Sequence, residues 1–303
     1  MKEIRPDYYE EFRCAAGDCR HTCCRGWEID IDEDTLAYYN ALPGELGDRL
    51  RREIVTGEDG TAQFRLRDGD RCPFLNENNL CDLIPALGET HLCQICTDHP
   101  RFRNYFSDRT ETGLGLCCEA AAKLILSRRE KTRFIGSGEE TLLPEEEPIL
   151  RLREKLIALM QDRTVPINAR FDAILAEAGK NLPEMTAAQW ADFLYGLERL
   201  DPGWEWRLDR LRNGGKAEIA PDPIAEEQLC VYFLFRHLAG AVYDGDLAGR
   251  AAFAVQSCKL IRAIWSAEGG RPEEYYEIAR EYSSEIEYSE ENLCAMLDRI
   301  DMD

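Results

Sequence analysis

The sequence has no long hydrophobic run and few basic residues for its size. Its longest apolar stretch covers residues 229–235, whereas a membrane-spanning helix needs roughly 20 residues. Lysine and arginine together number 37 against 58 aspartates and glutamates, so the net charge is −21. Phosphate backbones and anionic lipid headgroups repel such a chain. We therefore expect no nucleic-acid binding and no membrane binding, whereas a lysine-bearing protein surface suits this charge.

Two further features are missing from the sequence. Residues 1–7 contain no apolar segment, so we expect no signal peptide and a cytoplasmic protein whose thiols stay reduced. No Gly-x-Gly-x-x-Gly motif follows a predicted strand, and strands do not alternate with helices along the chain. A Rossmann-type nucleotide-binding fold is therefore excluded by the pattern.

Cysteine, by contrast, is abundant and unevenly placed. Of the 13 cysteines in 303 residues, all but Cys230, Cys258 and Cys294 lie between Cys14 and Cys118. Disulfides and buried unligated thiols are alternatives, but crowded thiols in a reducing compartment favour a metal or cluster site. The three C-terminal cysteines are predicted to be small core residues.

The crowded cysteines form short groups with metal-ligand spacing. Cys93 and Cys96 form a Cys-x2-Cys knuckle, which can chelate one ion from a single turn. The spacing matches neither bacterial ferredoxins nor the Cys-x3-Cys-x2-Cys of radical S-adenosylmethionine enzymes. Zinc and iron–sulfur therefore stay open, as does the choice between one centre and two. The metal ligands predicted from spacing are Cys14, Cys19, Cys23, Cys24, Cys72, Cys81, Cys93 and Cys96.

Turn residues and hydrophobic periodicity divide the chain. The first 118 residues are rich in turn signals and predict only short elements, namely helices over 34–39 and 43–53 and a strand over 61–67. From residue 119 the period is helical. Helices are predicted over 120–129, 149–160, 168–179, 190–200, 224–243, 247–266, 272–282 and 289–300. The acidic, Gly/Pro-rich stretch 136–148 is the predicted boundary.

The predicted fold class is therefore mainly α. An irregular, cysteine-rich metal-binding domain over residues 1–135 precedes an antiparallel helical bundle over residues 149–303.

Five ordered motifs lie within about residues 8–126. They are Phe12-Arg13-Cys14, Thr22-Cys23-Cys24-x-Gly26-Trp27, Cys72-Pro73-Phe74-Leu75, Leu92-Cys93-x-x-Cys96-x-x-His99-Pro100-Arg101 and Cys117-Cys118-Glu119-Ala120-Ala121-Ala122-Lys123. Together they resemble the flagellin lysine-N-methylase family. The chain has His99 where the family usually has tyrosine before Pro-Arg, and Cys117 where it has serine. On this match Cys118 is the family cysteine and a further predicted metal ligand. The cysteine-rich part also resembles a family of zinc- or iron-chelating domains.

The resemblance implies methyl transfer from S-adenosylmethionine to lysine side chains of flagellin, with a 4Fe–4S cluster. Transfer requires the lysine ammonium to lose a proton, so acids and a histidine within the motifs are candidates for that role. The predicted catalytic residues are Glu28, Asp98, His99 and Glu119. For each acid the alternative is a solvated surface position, and for His99 it is a loop or capping residue.

Two motif residues are predicted to contact the methyl donor. Trp27 can stack on a sulfonium or an adenine, although core packing is its alternative. Arg101 can pair with an anionic sulfur centre or with the donor's carboxylate, although a structural ion pair is its alternative. Two non-enzymatic functions also stay open: a metal-chelating or redox-sensing protein, and a structural zinc module in a helical interaction protein.

Overall fold

The computed structural model describes residues 2–57, 60–136, 142–215 and 220–302. These residues are mainly helical, which confirms the predicted class. The chain divides into two compact units. We call Arg13–Arg101 the cysteine unit, and Met1–Phe12 together with Phe102–Asp303 the helical unit. The domain boundary predicted within 136–148 stays a prediction, and residues 137–141 of that stretch lie outside the described residues.

The elements follow in chain order. They are β1 (Lys2–Pro6), α1 (Glu33–Ala41), α2 (Gly44–Glu53), β2 (Ile54–Thr56), β3 (Ala62–Phe64), α3 (Leu83–Leu87), α4 (Gln94–Asp98), β4 (Arg101–Tyr105), β5 (Arg109–Leu114), α5 (Glu119–Leu126), β6 (Phe134–Ile135), α6 (Glu146–Met160), α7 (Ile167–Ala178), α8 (Ala187–Tyr195), α9 (Trp204–Asn213), α10 (Pro223–His237), α11 (Ala241–Asp244), α12 (Leu247–Ala267), α13 (Tyr275–Tyr282) and α14 (Glu290–Asp301).

Most predicted helices appear with shifted ends. The helix predicted over 190–200 ends at Tyr195 as α8, directly before Gly196. The helix predicted over 224–243 ends at His237 as α10, and a 3-10 turn separates it from α11. Both differences lie at helix ends, where side-chain periodicity carries the least information.

A small sheet in the helical unit was not predicted from the sequence. Its strand order is β4-β5-β1-β6, with β1 parallel to β5 and antiparallel to β6. Lys2 pairs with Arg109 and Ile4 with Glu111, so the pairing joins segments about 107 positions apart (109 − 2). Such non-local pairing leaves no periodic signal in a short strand.

The core of the helical unit surrounds α10 and α12. Residues 229–235, the longest apolar run, are all buried within α10. A helix that is apolar on every side belongs in the interior of a protein. In the part of the chain that the structure describes, no helix is long and apolar enough to cross a membrane.

The three C-terminal cysteines differ in their surroundings. Cys230 and Cys258 are fully buried in this core, which confirms their predicted role. The prediction for Cys294 was wrong, because this residue is exposed. It lies on α14 between the buried Asn292 and Met296, and the helical period turns its side chain outward.

The cysteine unit is built from short elements. The predicted helices over 34–39 and 43–53 correspond to α1 and α2, and the predicted strand over 61–67 contains β3, which pairs with β2. Asp32 caps α1, since its carboxylate accepts the Thr35 N–H at 3.0 Å. The second carboxylate oxygen accepts the Gln94 N–H at 2.8 Å, which ties α4 to the start of α1.

Candidate functional site

Cysteine side chains form part of the core of the cysteine unit. Cys72 and Cys93 are buried there, and Cys24, Cys81 and Cys96 pack against the same core half-buried. Aromatic and aliphatic residues, including Tyr39, Phe64 and Phe74, make up the rest of that core. We call these five cysteines the thiol cluster. The structure therefore collects five of the predicted metal ligands in one region.

Backbone hydrogen bonds bring the thiol cluster together. The Cys72 N–H donates to the Cys24 carbonyl at 2.9 Å, which joins two segments that are distant in sequence. Leu75 and Cys81 face each other in an isolated antiparallel bridge. The Cys96 N–H donates to the Cys93 carbonyl at 2.9 Å as α4 begins, so the Cys-x2-Cys knuckle spans a single turn.

Burial and mutual charge set the acidity of these thiols. Burial raises the pKa of Cys72 to about 12 and also raises the pKa of Cys81, and the charges of neighbouring thiolates raise both further. A side-chain hydrogen bond from Cys23, opposed by burial, lowers the pKa of Cys24 to about 7. A hydrogen bond between the Cys93 and Cys96 side chains lowers the pKa of Cys93 and raises the pKa of Cys96.

The donor set fits a soft metal, because metal ligands must be thiolates and buried thiolates need a compensating cation. None of the five cysteines of the thiol cluster forms a disulfide, so each remains available as a donor. Within the described ranges, no three His, Cys, Asp or Glu side chains are arranged so that they could hold a metal ion. The thiol cluster therefore shows the chemistry of a metal site without its ligand geometry.

The other predicted ligands are not members of the thiol cluster, although Cys23 forms a side-chain hydrogen bond with Cys24. Cys14 is exposed, and its sulfur accepts the Ala16 N–H at 3.3 Å. Cys19 and Cys23 are half-buried and are not among the residues packed against the core of the cysteine unit. Cys118 belongs to the helical unit. For these four residues, as for the five of the thiol cluster, ligation stays a prediction.

Trp27 and His99 contact each other next to this region. Their ring centroids are 6.0 Å apart, and the Trp27 indole N–H donates to the Cys23 carbonyl at 2.6 Å. Burial, together with the nearby Arg101 charge, lowers the pKa of His99 to about 4. His99 is therefore neutral at pH 7 and presents an imidazole that accepts or donates one hydrogen bond.

The remaining candidates occupy separate positions. The Arg101 guanidinium donates to the Thr97 carbonyl at 3.0 Å, so it caps the end of α4. Asp98 is half-buried and closes α4, whereas Glu28 is exposed. Glu119 is the first residue of α5 in the helical unit. Of the predicted catalytic residues, His99 contacts Trp27, a predicted donor-binding residue.

A buried polar network in the helical unit was missed by sequence reasoning. The Tyr232 hydroxyl donates to the Glu287 carboxylate at 2.9 Å and accepts from the Arg236 guanidinium at 2.8 Å. His237 Nε2 lies 2.5 Å from the same carboxylate. The Arg236 guanidinium lies 5.0 Å from the ring centroids of both Phe102 and Tyr288. The network thus holds one carboxylate between an arginine, a histidine and a tyrosine.

This network lies beside the Cys117-Cys118-Glu119 motif. The Leu116 N–H donates to the Tyr232 hydroxyl at 3.2 Å. Burial raises the pKa of Cys117 to about 12, although a hydrogen bond from Tyr288 and the charge of Arg236 oppose that rise. Glu287 ends a π-helical segment, Ser283–Glu287, a rare conformation that recurs at functional sites. In the sequence, the only local sign of this polar network was the pair Arg236-His237 directly after an apolar run.

Comparisons with known proteins agree with the resemblance that the motifs predicted. The chain is similar to the Lysine-N-methylases of Salmonella typhimurium and Salmonella choleraesuis, with 25% identity to each over 170 residues. That match covers 52% of this chain and 42% of each relative, so it spans less than half of the relatives' length. It is also 26% identical over 135 residues to the flagellar biosynthetic protein FliU of Salmonella muenchen, which covers 42% of this chain and 80% of FliU. No family model matches, and no solved structure does.

Proposed function

We propose that this protein is an S-adenosylmethionine-dependent methyltransferase that modifies lysine side chains of flagellin in the cytoplasm. The observation that carries the proposal is the thiol cluster, which gathers motif cysteines of a chain similar to curated Lysine-N-methylases. The names of the relatives supply the lysine methylation and the flagellar context. The methyl donor and the sulfur-held centre, whether iron–sulfur or zinc, are parts of the proposal.

The residues that would hold such a centre are those of the thiol cluster. A bound metal centre supplies positive charge that keeps buried thiols deprotonated. Around it, the indole of Trp27 offers an electron-rich face suited to a sulfonium. Neutral His99 beside Trp27 orients a donor or an amine by hydrogen bonding, because a group with a pKa of about 4 is a weak base toward an ammonium.

The proposed reaction is a single displacement. The neutral lysine amine attacks the sulfonium methyl carbon, the carbon–sulfur bond breaks, and S-adenosylhomocysteine leaves. The ammonium proton passes to a carboxylate or to solvent, and Asp98, Glu28 and Glu119 remain the candidate acceptors. A net charge of −21 attracts a lysine-bearing substrate and repels nucleic acid.

Transfer of a labelled methyl group tests this proposal. Anaerobically reconstituted protein is incubated with purified flagellin and methyl-labelled S-adenosylmethionine, and lysines are analysed after hydrolysis. We expect labelled methyl-lysine with the wild type and with the control Cys294→Ser, whose residue is exposed on α14. Cys93→Ser should lower the yield at least about tenfold, since it removes a buried member of the thiol cluster. Metal-loaded wild type that leaves lysine unlabelled would contradict the proposal.

One observation favours a second candidate, a structural zinc module. Cys72 and Cys93 are members of a packed core, which is where structural thiolate sites lie. A colourless protein with stoichiometric zinc and no methyl transfer would favour that function over catalysis.

A further inference from the structure

A cavity of about 470 Å³ opens on the cysteine unit and has no assigned role. Its volume lies within the range of small-molecule sites. Charged side chains of both signs surround it. Its polar and charged lining side chains are Arg49, Arg67, Arg71, Asn76, Glu77 and Asp82.

Part of this lining is held rigidly. The Arg49 guanidinium donates to Asp82 at 2.9 Å and to the Pro73 carbonyl at 2.8 Å, and it lies 4.7 Å from the Phe74 ring centroid. The Asn76 side-chain amide donates to the second Asp82 oxygen at 3.1 Å. Hydrogen bonds to Asp82 therefore join the side chains of Arg49 and Asn76, and the three form a fixed wall of the cavity.

Two charged side chains that line the same cavity take no part in these hydrogen bonds. Arg67 and Glu77 are both exposed, and neither side chain forms a hydrogen bond or ion pair with any residue that the structure describes, although the Arg67 backbone pairs with that of Arg71. Although opposite in sign, they are not paired with each other. Arg71 also lines the cavity, and its Nη2 donates to the Asn76 carbonyl at 2.5 Å and to Asn79 at 3.3 Å, which leaves its other guanidinium nitrogens as donors. The cavity thus offers a cation and an anion that are not paired with each other.

Two chain segments that line the cavity also carry cysteines of the thiol cluster. Arg71 directly precedes Cys72, and Asp82 directly follows Cys81. Leu75 lines the cavity and faces Cys81 in the antiparallel bridge. A ligand seated here therefore shares its wall with the segments that carry two cluster cysteines.

We propose that this cavity binds the α-ammonium and α-carboxylate of an amino-acid-type ligand. Guanidinium groups bind a carboxylate with two parallel hydrogen bonds, which assigns the carboxylate to Arg67 and Arg71. Glu77 receives the ammonium. If the proposed function holds, the ligand is the methionine end of the methyl donor.

Direct binding tests this assignment without turnover. Calorimetry measures the affinity of the full chain for S-adenosylhomocysteine and for 5′-methylthioadenosine, which lacks the amino-acid end. We expect Arg67→Gln to weaken S-adenosylhomocysteine binding about tenfold or more, since a charge-assisted bond is lost. Glu77→Gln should weaken it by a smaller factor, and binding of 5′-methylthioadenosine should not change with either variant.

The matched control is Arg65→Gln, an exposed arginine two positions earlier that does not line the cavity. It should bind S-adenosylhomocysteine as the wild type does. Equal affinity of Arg67→Gln and wild type would overturn the assignment, and so would binding of inorganic phosphate in place of S-adenosylhomocysteine. In either event the labelling of flagellin lysine decides the proposed function separately. If lysine is labelled but S-adenosylhomocysteine does not bind, the cavity assignment alone fails.

Discussion

The two units of this chain have cores of different size and composition. The helical unit has a large core around α10 and α12 that contains fully buried aromatic residues such as Trp204, Phe233 and Phe253. The core of the cysteine unit is smaller, and sulfur atoms occupy part of it. Two helices of the cysteine unit, α3 and α4, are five residues long, so neither is stable by itself. Apolar burial therefore accounts for order in the helical unit, and we propose that in the cysteine unit the thiols add to a smaller apolar core by holding a metal centre.

The largest effect should come from the core of the helical unit. Phe233→Ala removes a fully buried ring from α10, and we expect a loss of about 3–5 kcal/mol in the free energy of unfolding. Urea denaturation followed by circular dichroism measures it. The control Tyr243→Ala changes a residue that is 80% exposed and should alter stability by less than about 0.5 kcal/mol. A loss below about 1 kcal/mol for Phe233→Ala would break the comparison.

A smaller effect is expected where the cysteine unit ties its segments together. Asp32→Ala removes the acceptor of both the Thr35 and the Gln94 N–H groups. We expect a loss of about 1–2 kcal/mol, with faster hydrogen exchange at Gln94. Asp32→Asn keeps one acceptor oxygen and should give an intermediate value. Identical exchange rates at Gln94 in all three proteins would mean that this carboxylate does not hold α4.

The smallest expected effect is a pH dependence of stability that arises in the helical unit. Burial raises the pKa of Glu285 to about 7, although hydrogen bonds from the Leu200 and Asp201 N–H groups oppose that rise. A carboxyl with a raised folded-state pKa contributes stability that is present below its unfolded value and lost as pH rises through its folded value. Unfolding measured from pH 4.5 to 8 should therefore show a loss on the order of 1 kcal/mol.

Glu285→Gln should flatten this pH dependence, because the amide carries no charge. Its stability at low pH falls below that of the wild type, because either the Leu200 or the Asp201 N–H then faces an amide nitrogen, which cannot accept a hydrogen bond. The exposed Glu291→Gln serves as the control and should keep the slope of the wild type. A Glu285→Gln profile as steep as that of the wild type would show that another group titrates.

The sequence was informative where structure is local and uninformative where it is not. Apolar periodicity located helices such as α7 and α12 to within one residue or two, because each buries one repeating face. The pairing of β1 with β5 joins distant segments, so no local pattern indicated it. The prediction for the exposed Cys294 failed because an isolated cysteine gives no sign of which face of its helix it occupies.

In the candidate site, too, the sequence predicted local features but not contacts between distant segments. Crowding and spacing indicated that cysteines would gather, and the structure does gather five of them. Which cysteines gather depends on contacts such as the Cys72–Cys24 backbone hydrogen bond, which spacing does not encode. The Arg236–Glu287 network was invisible for a related reason: its members come from α10 and from the π-helical segment, about 50 residues apart.

The central claim is that the cysteine unit is ordered around a sulfur-held centre at the thiol cluster. Iron, zinc and acid-labile sulfide measured in anaerobically purified protein test it most directly, with Cys93→Ser compared against Cys294→Ser. We expect stoichiometric metal in the wild type and in Cys294→Ser, and loss of most of it in Cys93→Ser. Wild type that binds no metal, or Cys93→Ser that retains it fully, would contradict this account.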